Sequence, residues 1–345
     1  MLPKVYFAKT FDDEIIRNLF NKVCNDLEKT IILNDRVAIK VHFGEKGNTK
    51  FVSPNYIKPI ISSLKEINNN FFITDANTLY KGMRVNATDH KKIAKEHGFY
   101  ELNSEIRIAD GELGDYEETI KIPGKIFSDI KLGKYIADSN SIICISHFKG
   151  HNLFSFSGAI KNLGMGCASR AGKLIQHSID FKLAVNENCK LCKKCIVECP
   201  VNAITEGDSR VSINPDICIR CAKCVSVCDN KAIRTPWHGS IEAQKRTAEY
   251  AFGAMKNKKG IFFNFLNNIT EQCDCAKEDS RIICKNIGIL ASTDPVACDK
   301  AAYDLVIKAS GKDIFKELHG CDGTPIFDYS EEIGLGKKDY ELIEL

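Results

Sequence analysis

No stretch of this chain approaches the roughly 18 consecutive apolar residues that a membrane-crossing helix needs. The longest apolar runs, such as Ile142-Ile143-Cys144-Ile145, have the length of a strand. The N-terminal residues Met1 to Lys9 lack the apolar centre of a secretion signal. An excess of one charge is also missing, since 48 Lys plus Arg face 45 Asp plus Glu for a formal net charge of +3. That balance gives no electrostatic ground for nucleic acid or an anionic membrane as the main partner. Neither a Walker A loop nor a G-x-G-x-x-G fingerprint occurs, so no nucleotide site is read from motifs. With 44% hydrophobic and 27% charged residues, the composition is that of a soluble globular protein, and a cytoplasmic location is expected.

Cysteine is what the chain has in excess. There are 16 in 345 residues, and eight of them fall between positions 189 and 228. In a chain of this size without an export signal, that density asks for metal rather than disulfides, in a reducing and oxygen-poor cell. The first run is Cys189-Lys190-Leu191-Cys192-Lys193-Lys194-Cys195-Ile196-Val197-Glu198-Cys199-Pro200, and the second carries Cys218, Cys221, Cys224 and Cys228 at the same intervals. This C-x₂-C-x₂-C-x₃-C spacing is similar to that of bacterial ferredoxins, which hold two [4Fe–4S] clusters. Two-residue gaps let three thiolates meet three corners of one cubane, while a short helix carries the fourth cysteine to the neighbouring cluster. Crossed ligation is therefore expected, with Cys189, Cys192, Cys195 and Cys228 on one cluster and Cys218, Cys221, Cys224 and Cys199 on the other. Zinc is the competing occupant of such thiolates. Ala203-Ile204 and Ala232-Ile233 are equivalent and are expected to shield the cubanes. Clusters ligated wholly by cysteine relay electrons instead of making bonds. Lys190, Lys193, Lys194, Arg220 and Lys223 beside them either dock an acidic redox partner or form a plain solvated surface.

On either side of this block the chain alternates strand-like and helix-like stretches. Strands are expected at Val5–Ala8, Arg36–Phe43, Phe71–Asp75, Ser139–Ile145, Gly260–Asn264 and Gly288–Ala291, and helices at Asp12–Glu28, Pro54–Ile67, Ala87–His97, Ser240–Met255 and Pro295–Lys308. The fold class that follows is α/β, a mainly parallel or mixed sheet domain with an inserted α+β dicluster ferredoxin-like domain. Residues 1–182 and 236–345 are read as one discontinuous domain and 183–235 as the insertion; three consecutive domains are the alternative.

Polar residues gather at the expected C-terminal ends of strands: His42 with Glu45, Asp75 with Asn77 and Thr78, and His147 with Lys149 and His151. In a parallel sheet these ends face one crevice, so a shared pocket is expected. Lys149, Lys161 and Asn162 are its candidate anion-binding residues, and the glycine-rich stretch from Ser157 to Gly166 offers backbone N–H groups for a phosphate or carboxylate. Cys273-Asp274-Cys275 is a second feature, because two thiols one residue apart can chelate a soft metal or a third cluster. Cys167, Cys298 or Cys321 would add a thiolate, and His42, His147 or His151 a nitrogen. An inert or redox-active thiol pair remains the competing reading. Cys24, Cys144 and Cys284 lie in apolar surroundings and are expected to be core.

Taken together, His147-Phe148-Lys149-Gly150-His151, Ser157-Gly158-Ala159-Ile160-Lys161-Asn162-Leu163-Gly164, Cys273-Asp274-Cys275 and Asp294-Pro295-Val296-Ala297-Cys298-Asp299 resemble the motifs of the DUF362 family of iron–sulfur proteins. The resemblance covers nearly the whole chain and implies a DUF362 domain carrying an inserted dicluster ferredoxin segment. It says little about chemistry. The leading expectation is an iron–sulfur electron-transfer protein whose larger domain binds a small anionic substrate, cofactor or redox partner. A reductive or sulfur-transfer enzyme with a third metal or Fe–S centre at Cys273/Cys275 is the alternative, with catalytic candidates His42, His147, Lys149, His151, Cys273 and Cys275. A redox-sensing regulatory protein is a third.

Overall fold

The computed structural model describes residues 1–27, 35–80, 82–177, 183–218, 220–234 and 240–345. Eight strands form the main sheet: β1 (Lys4–Ala8), β2 (Val37–Lys40), β3 (Phe71–Asp75), β4 (Ile106–Ile108), β5 (Ser141–His147), β6 (Lys259–Leu266), β7 (Gly288–Ser292) and β8 (Glu341–Glu344). Their spatial order is β8-β1-β7-β6-β5-β2-β3-β4. From β6 to β4 all neighbours are parallel. β7 runs against both of its neighbours, which makes the sheet mixed. Small antiparallel hairpins are added, among them Glu117–Lys121 with Asp129–Gly133 and Lys149–His151 with Ser155–Ser157.

The parallel strands are buried on both faces, and their side chains alternate between two cores. In β5, Ile142 and Cys144 enter one core while Ile143 and Ile145 enter the other. Helices Asp13–Asp26 and Pro54–Lys65 cover the second core through Ile16, Leu19, Phe20, Ile57 and Ile60. Helices Ala159–Cys167, Ser240–Met255 and Pro295–Ser310 cover the first. Each fully buried Ile, Leu or Phe contributes about 1.5–3 kcal/mol. Local signals start the helices where expected: Ser53 Oγ accepts from the Asn55 N–H with Pro54 in the first turn, and Asp294 accepts from Val296 and Ala297. Cys24, Cys144 and Cys284 are buried among apolar side chains.

Some elements differ from the sequence expectation. β2 stops at Lys40 instead of Phe43: the Val41 N–H still donates to the Thr74 carbonyl at 3.0 Å, and the chain beyond it leaves the ladder and turns at Gly44, whose φ is 76°. β4 and β8 lie at the two edges, are short, and carry too weak an alternation to be read in advance. The expected boundaries at 182/183 and 235/236 lie outside the described residues.

Residues 183–234 have a small core of their own, made by Cys195, Ile204, Val211, Cys224, Cys228, Ala232 and Ile233. Ala184–Val185 pairs with Ile233–Arg234, which brings the two ends of the segment together. Leu79, Leu174 and Ala222 form an apolar contact between this segment and the rest of the chain, with Cys218 and Val225 packed against it. Arg170 Nη1 donates to Ser226 Oγ at 3.3 Å across the same junction. No described helix is long and apolar enough to cross a membrane.

Candidate functional site

Strands β2, β3 and β4 succeed one another in one direction across the sheet, while β5 and β6 lie on the other side of β2. The strand order therefore reverses between β2 and β5, and such a switch point leaves a crevice beyond the strand ends. A cavity of about 420 Å³ opens there, lined among others by His42, Asp75, His147, Lys149, His151 and Cys275. It brings together the three groups of polar residues that the sequence places at strand ends.

His147, Lys149 and His151 reach the cavity because side chains of an extended chain alternate. Phe148 between them points the other way, stacking on Phe156 and meeting Phe315 edge-to-face. Asp274 is the buried counter-charge for this row. Its Oδ1 lies 2.7 Å from His147 Nδ1 and its Oδ2 lies 3.0 Å from Lys149 Nζ. His147 Nε2 also faces an acceptor, the Asn267 carbonyl at 2.9 Å, so both hydrogen bonds form only when the ring carries both protons. Burial alone would raise the Asp274 pKa, but Lys149 and His147 hold it well below the usual carboxylate range. The Asp274 carbonyl accepts from the Glu45 N–H at 3.1 Å, which pins the turn by its backbone too.

With residue 274 anchored, its two neighbours meet at the cavity wall. Cys273 Sγ and Cys275 Sγ are 2.7 Å apart, and Cys275 Sγ is 3.5 Å from His42 Nε2. The ligand atoms of His42, Cys273 and Cys275 all lie within 4.8 Å of one another. Sharing a proton with Cys273, and then facing His42 and Lys161, Cys275 has a pKa well below that of an ordinary thiol despite its burial. The same contact, with burial added, pushes Cys273 up. His42 is kept neutral by burial and by Arg84 nearby. Its Nδ1 accepts from the Gly44 N–H at 3.0 Å, so the proton of the neutral ring sits on Nε2, facing Cys275.

Beneath this centre, Asp75 receives Lys40 Nζ at 3.0 Å and Arg84 Nη1 at 3.3 Å, with His90 Nε2 at 3.5 Å. Lys40 and Arg84 have no motif in the sequence. A lysine inside an apolar strand was the one available signal for Lys40, and Arg84 had none. Asn162 spends its amide on structure, its Oδ1 accepting from Lys40 at 2.6 Å and its Nδ2 donating to the Ile145 carbonyl and Ser146 Oγ at 3.1 Å each. Asn77 is likewise engaged by Asp110 and Gly111. Lys161 lines the cavity with its Nζ 5.6 Å from the Phe154 ring centroid.

Cys167, Cys298 and Cys321 do not join the thiol pair. Cys298 is buried against Asn264 and the Phe262 carbonyl, and Cys167 and Cys321 face the Asn162 and Asn152 carbonyls. The Asp294 to Asp299 stretch serves two helix starts instead. Asp294 caps its own helix, while Asp299 accepts from the N–H groups of Ala159 at 2.6 Å and Ile160 at 2.9 Å. Those N–H groups are therefore taken by a carboxylate of the chain and do not face the cavity as a phosphate cradle. Gly158 is required there, since a Cβ would lie 2.3 Å from Asp299 Oδ1.

The eight clustered cysteines line two hollows. Cys189, Cys192, Cys195 and Cys228 surround one, and Cys199, Cys218, Cys221 and Cys224 the other. The two runs repeat in backbone as well as in sequence. Leu191 and Arg220, Lys193 and Ala222, and Asn202 and Lys231 are matching left-handed positions. Cys199 Sγ and Cys228 Sγ each accept a backbone N–H at 3.2 Å, from Ala203 and Ala232. Ala222 lines the second hollow and touches the apolar contact formed with Leu79, which lines the large cavity.

A mixed α/β sheet with a thiol pair at its switch-point crevice defines an α/β protein with a candidate thiol or metal centre. The chain belongs to the DUF362 family, described as a domain of unknown function, which matches residues 37–304. Short parts of it are similar to iron–sulfur proteins. A ferredoxin of Rickettsia felis is 38% identical over 68 residues, 19% of this chain and 62% of that protein. Hydrogenase-4 component A of Escherichia coli is 32% identical over 71 residues, 20% of this chain and 35% of that protein. The chain therefore spans less than two thirds of the length of these relatives. Among solved structures, the lactate racemase apoprotein from Thermoanaerobacterium thermosaccharolyticum aligns over 75% of this chain and 50% of that one, at 14% identity and a TM-score of 0.38.

Proposed function

We propose that this protein is a reductive enzyme whose working centre is Cys273 and Cys275, holding a metal ion or a third cluster, with His42 as the nitrogen ligand once its ring proton passes from Nε2 to Nδ1 and the Gly44 bond opens. The observation that carries this reading is the trio of ligand atoms within 4.8 Å at the wall of a 420 Å³ cavity. A plain electron carrier has no use for such a cavity beside paired thiols. The donor set suits a soft metal, since thiolate and imidazole together favour iron, zinc or copper over hard cations.

In the same reading, residues 183–235 hold two [4Fe–4S] clusters, on Cys189, Cys192, Cys195 and Cys228 and on Cys218, Cys221, Cys224 and Cys199. Support comes from the two four-cysteine hollows, the N–H···S bonds, and non-glycine residues kept in left-handed conformations, which persist only where their surroundings fix them. Bound there, the clusters would supply one-electron steps. Exposure of Cys192 supports a redox partner meeting the first cluster, and the packing of Ala222, from the second hollow, against Leu79 of the cavity supports a path from the second cluster to it. The chain's own residues bind and orient the substrate, an anion by the cavity's lysines, and exclude water from the thiols.

A second reading has an observation of its own. Because Gly44 donates to His42 Nδ1, the Nε2 proton faces the Cys275 thiolate, which suits a proton-donating partner of a redox dithiol. Metal content separates the two. Anaerobically purified protein is expected to hold about eight iron and eight sulfide from the paired runs, plus the metal of the third centre. The Cys273→Ala, Cys275→Ala double variant is expected to lose one metal ion, or about four iron for a cubane, with the other Mössbauer signals intact. Unchanged metal content in fully loaded protein rejects the metal centre and leaves the dithiol.

A further inference from the structure

The charges around the large cavity do not act equally on a ligand. Lys149 Nζ is matched by Asp274 at 3.0 Å, and Arg84 is held between Asp75 at 3.3 Å and Glu45 at 3.6 Å. Lys173 Nζ donates to the Ala168 carbonyl at 2.7 Å, turned to its own helix start. His151 accepts the Leu153 N–H on Nδ1 at 3.1 Å, and burial with Lys161 nearby holds its pKa well below that of an ordinary imidazole, so it faces the cavity neutral. Lys161 is different. Among the described residues no carboxylate lies within 4.0 Å of it, and its ammonium rests near the face of Phe154. The rest of the wall near it is apolar: Leu79, Leu153, Phe154 and Met165.

A cavity with a lysine that no described carboxylate neutralises, set beside an apolar wall, suits a ligand with a negative charge and an apolar body. A short hydrophilic anion would leave the Leu79, Leu153 and Met165 surface unfilled. We propose that the substrate of this cavity is an apolar-bodied monocarboxylate, its carboxylate on Lys161 and its hydrocarbon part against Phe154, Leu153, Met165 and Leu79. The inference rests on the reading of this cavity as a substrate site, but it concerns recognition and not the chemistry at the thiols.

The test is calorimetric titration of the full chain, purified without oxygen, with four probes: acetate, octanoate, octan-1-ol and inorganic phosphate. At about fourfold per buried methylene, octanoate is expected to bind at least about a hundredfold tighter than acetate. Lys161→Met is expected to weaken octanoate about ten- to a hundredfold, the worth of a charge-assisted contact. Octan-1-ol should bind that variant as it binds the wild type, which also shows that the cavity has kept its shape. Lys161→Arg should recover most of the octanoate affinity. Equal binding of acetate and octanoate, tighter binding of phosphate, or octanoate affinity unchanged in Lys161→Met would each overturn the proposal. Repeating the titration on the Cys273→Ala, Cys275→Ala variant separates it from the proposed enzyme function. Octanoate binding retained there supports this inference whatever that variant shows about metal, and its failure in the wild type counts against this inference alone.

Discussion

Replacing Asp274 by asparagine removes the charge of a buried carboxylate that faces Lys149 and His147 and leaves the shape nearly unchanged. In the wild type the carboxylate stands 2.7 Å from His147 Nδ1 and 3.0 Å from Lys149 Nζ, with Asp274 and Lys149 1% and 4% exposed. At 3.0 Å and an effective dielectric of about 20, the Lys149 attraction alone is about 5 kcal/mol before desolvation. The amide can still accept from His147, but its NH₂ then confronts the Lys149 ammonium. Breaking one side of a buried pair costs about 3–5 kcal/mol, because the remaining charge is left uncompensated. We therefore expect Asp274→Asn to lose about 3–5 kcal/mol in urea unfolding followed by circular dichroism. Lys149→Met added to Asp274→Asn should restore about 1–3 kcal/mol of that loss, since the stranded ammonium is gone. The thiol pair should suffer with the anchor, seen as faster alkylation of Cys273 and Cys275 in Asp274→Asn. A loss under about 1 kcal/mol, or strict additivity in the double variant, would refute the view that Asp274 organises this turn.

Two further outcomes test other parts of the structure. His90 is fully buried, and burial lowers its pKa from 6.5 to about 4 against the pull of Asp75. The unfolded chain therefore binds more protons between those values, so stability falls as pH drops from about 6.5 towards 4, by about 3 kcal/mol from this group. His90→Gln should flatten that part of the stability–pH curve, and an unchanged slope would show that another group causes it. Gly164 packs its helix onto Ser240–Met255 so closely that a Cβ would lie 2.2 Å from the Thr247 carbonyl oxygen. Gly164→Ala should cost about 1–3 kcal/mol by overpacking, measured as a lower urea midpoint; a midpoint within error of wild type would show that the two helices separate freely.

Much of the site was legible in advance because its signals are local. The alternation His147, Lys149, His151 needs only the period of an extended chain, and polar residues after apolar strands need only the geometry of a parallel sheet. The equal spacing of the two cysteine runs likewise belongs to the sequence alone. What surrounds these residues was not local. Which cation keeps a free charge depends on partners far along the chain: Asp274 for Lys149, Asp75 for Lys40 and Arg84, and none of the described carboxylates for Lys161. His42 was one of three candidate histidines, and only the turn of the chain beyond Val41 brings its Nε2 to Cys275, 233 positions away. Asp299 follows Cys298, a candidate extra thiolate in the sequence, whereas packing of Pro295–Ser310 against Ala159–Cys167 makes it the acceptor at the start of another helix. Sequence determined which side chains alternate, cap and cluster in number, since those follow from backbone periodicity. Tertiary structure decided which charges cancel and which thiols meet, since electrostatic and coordinate bonds depend on distances that only the packed sheet sets.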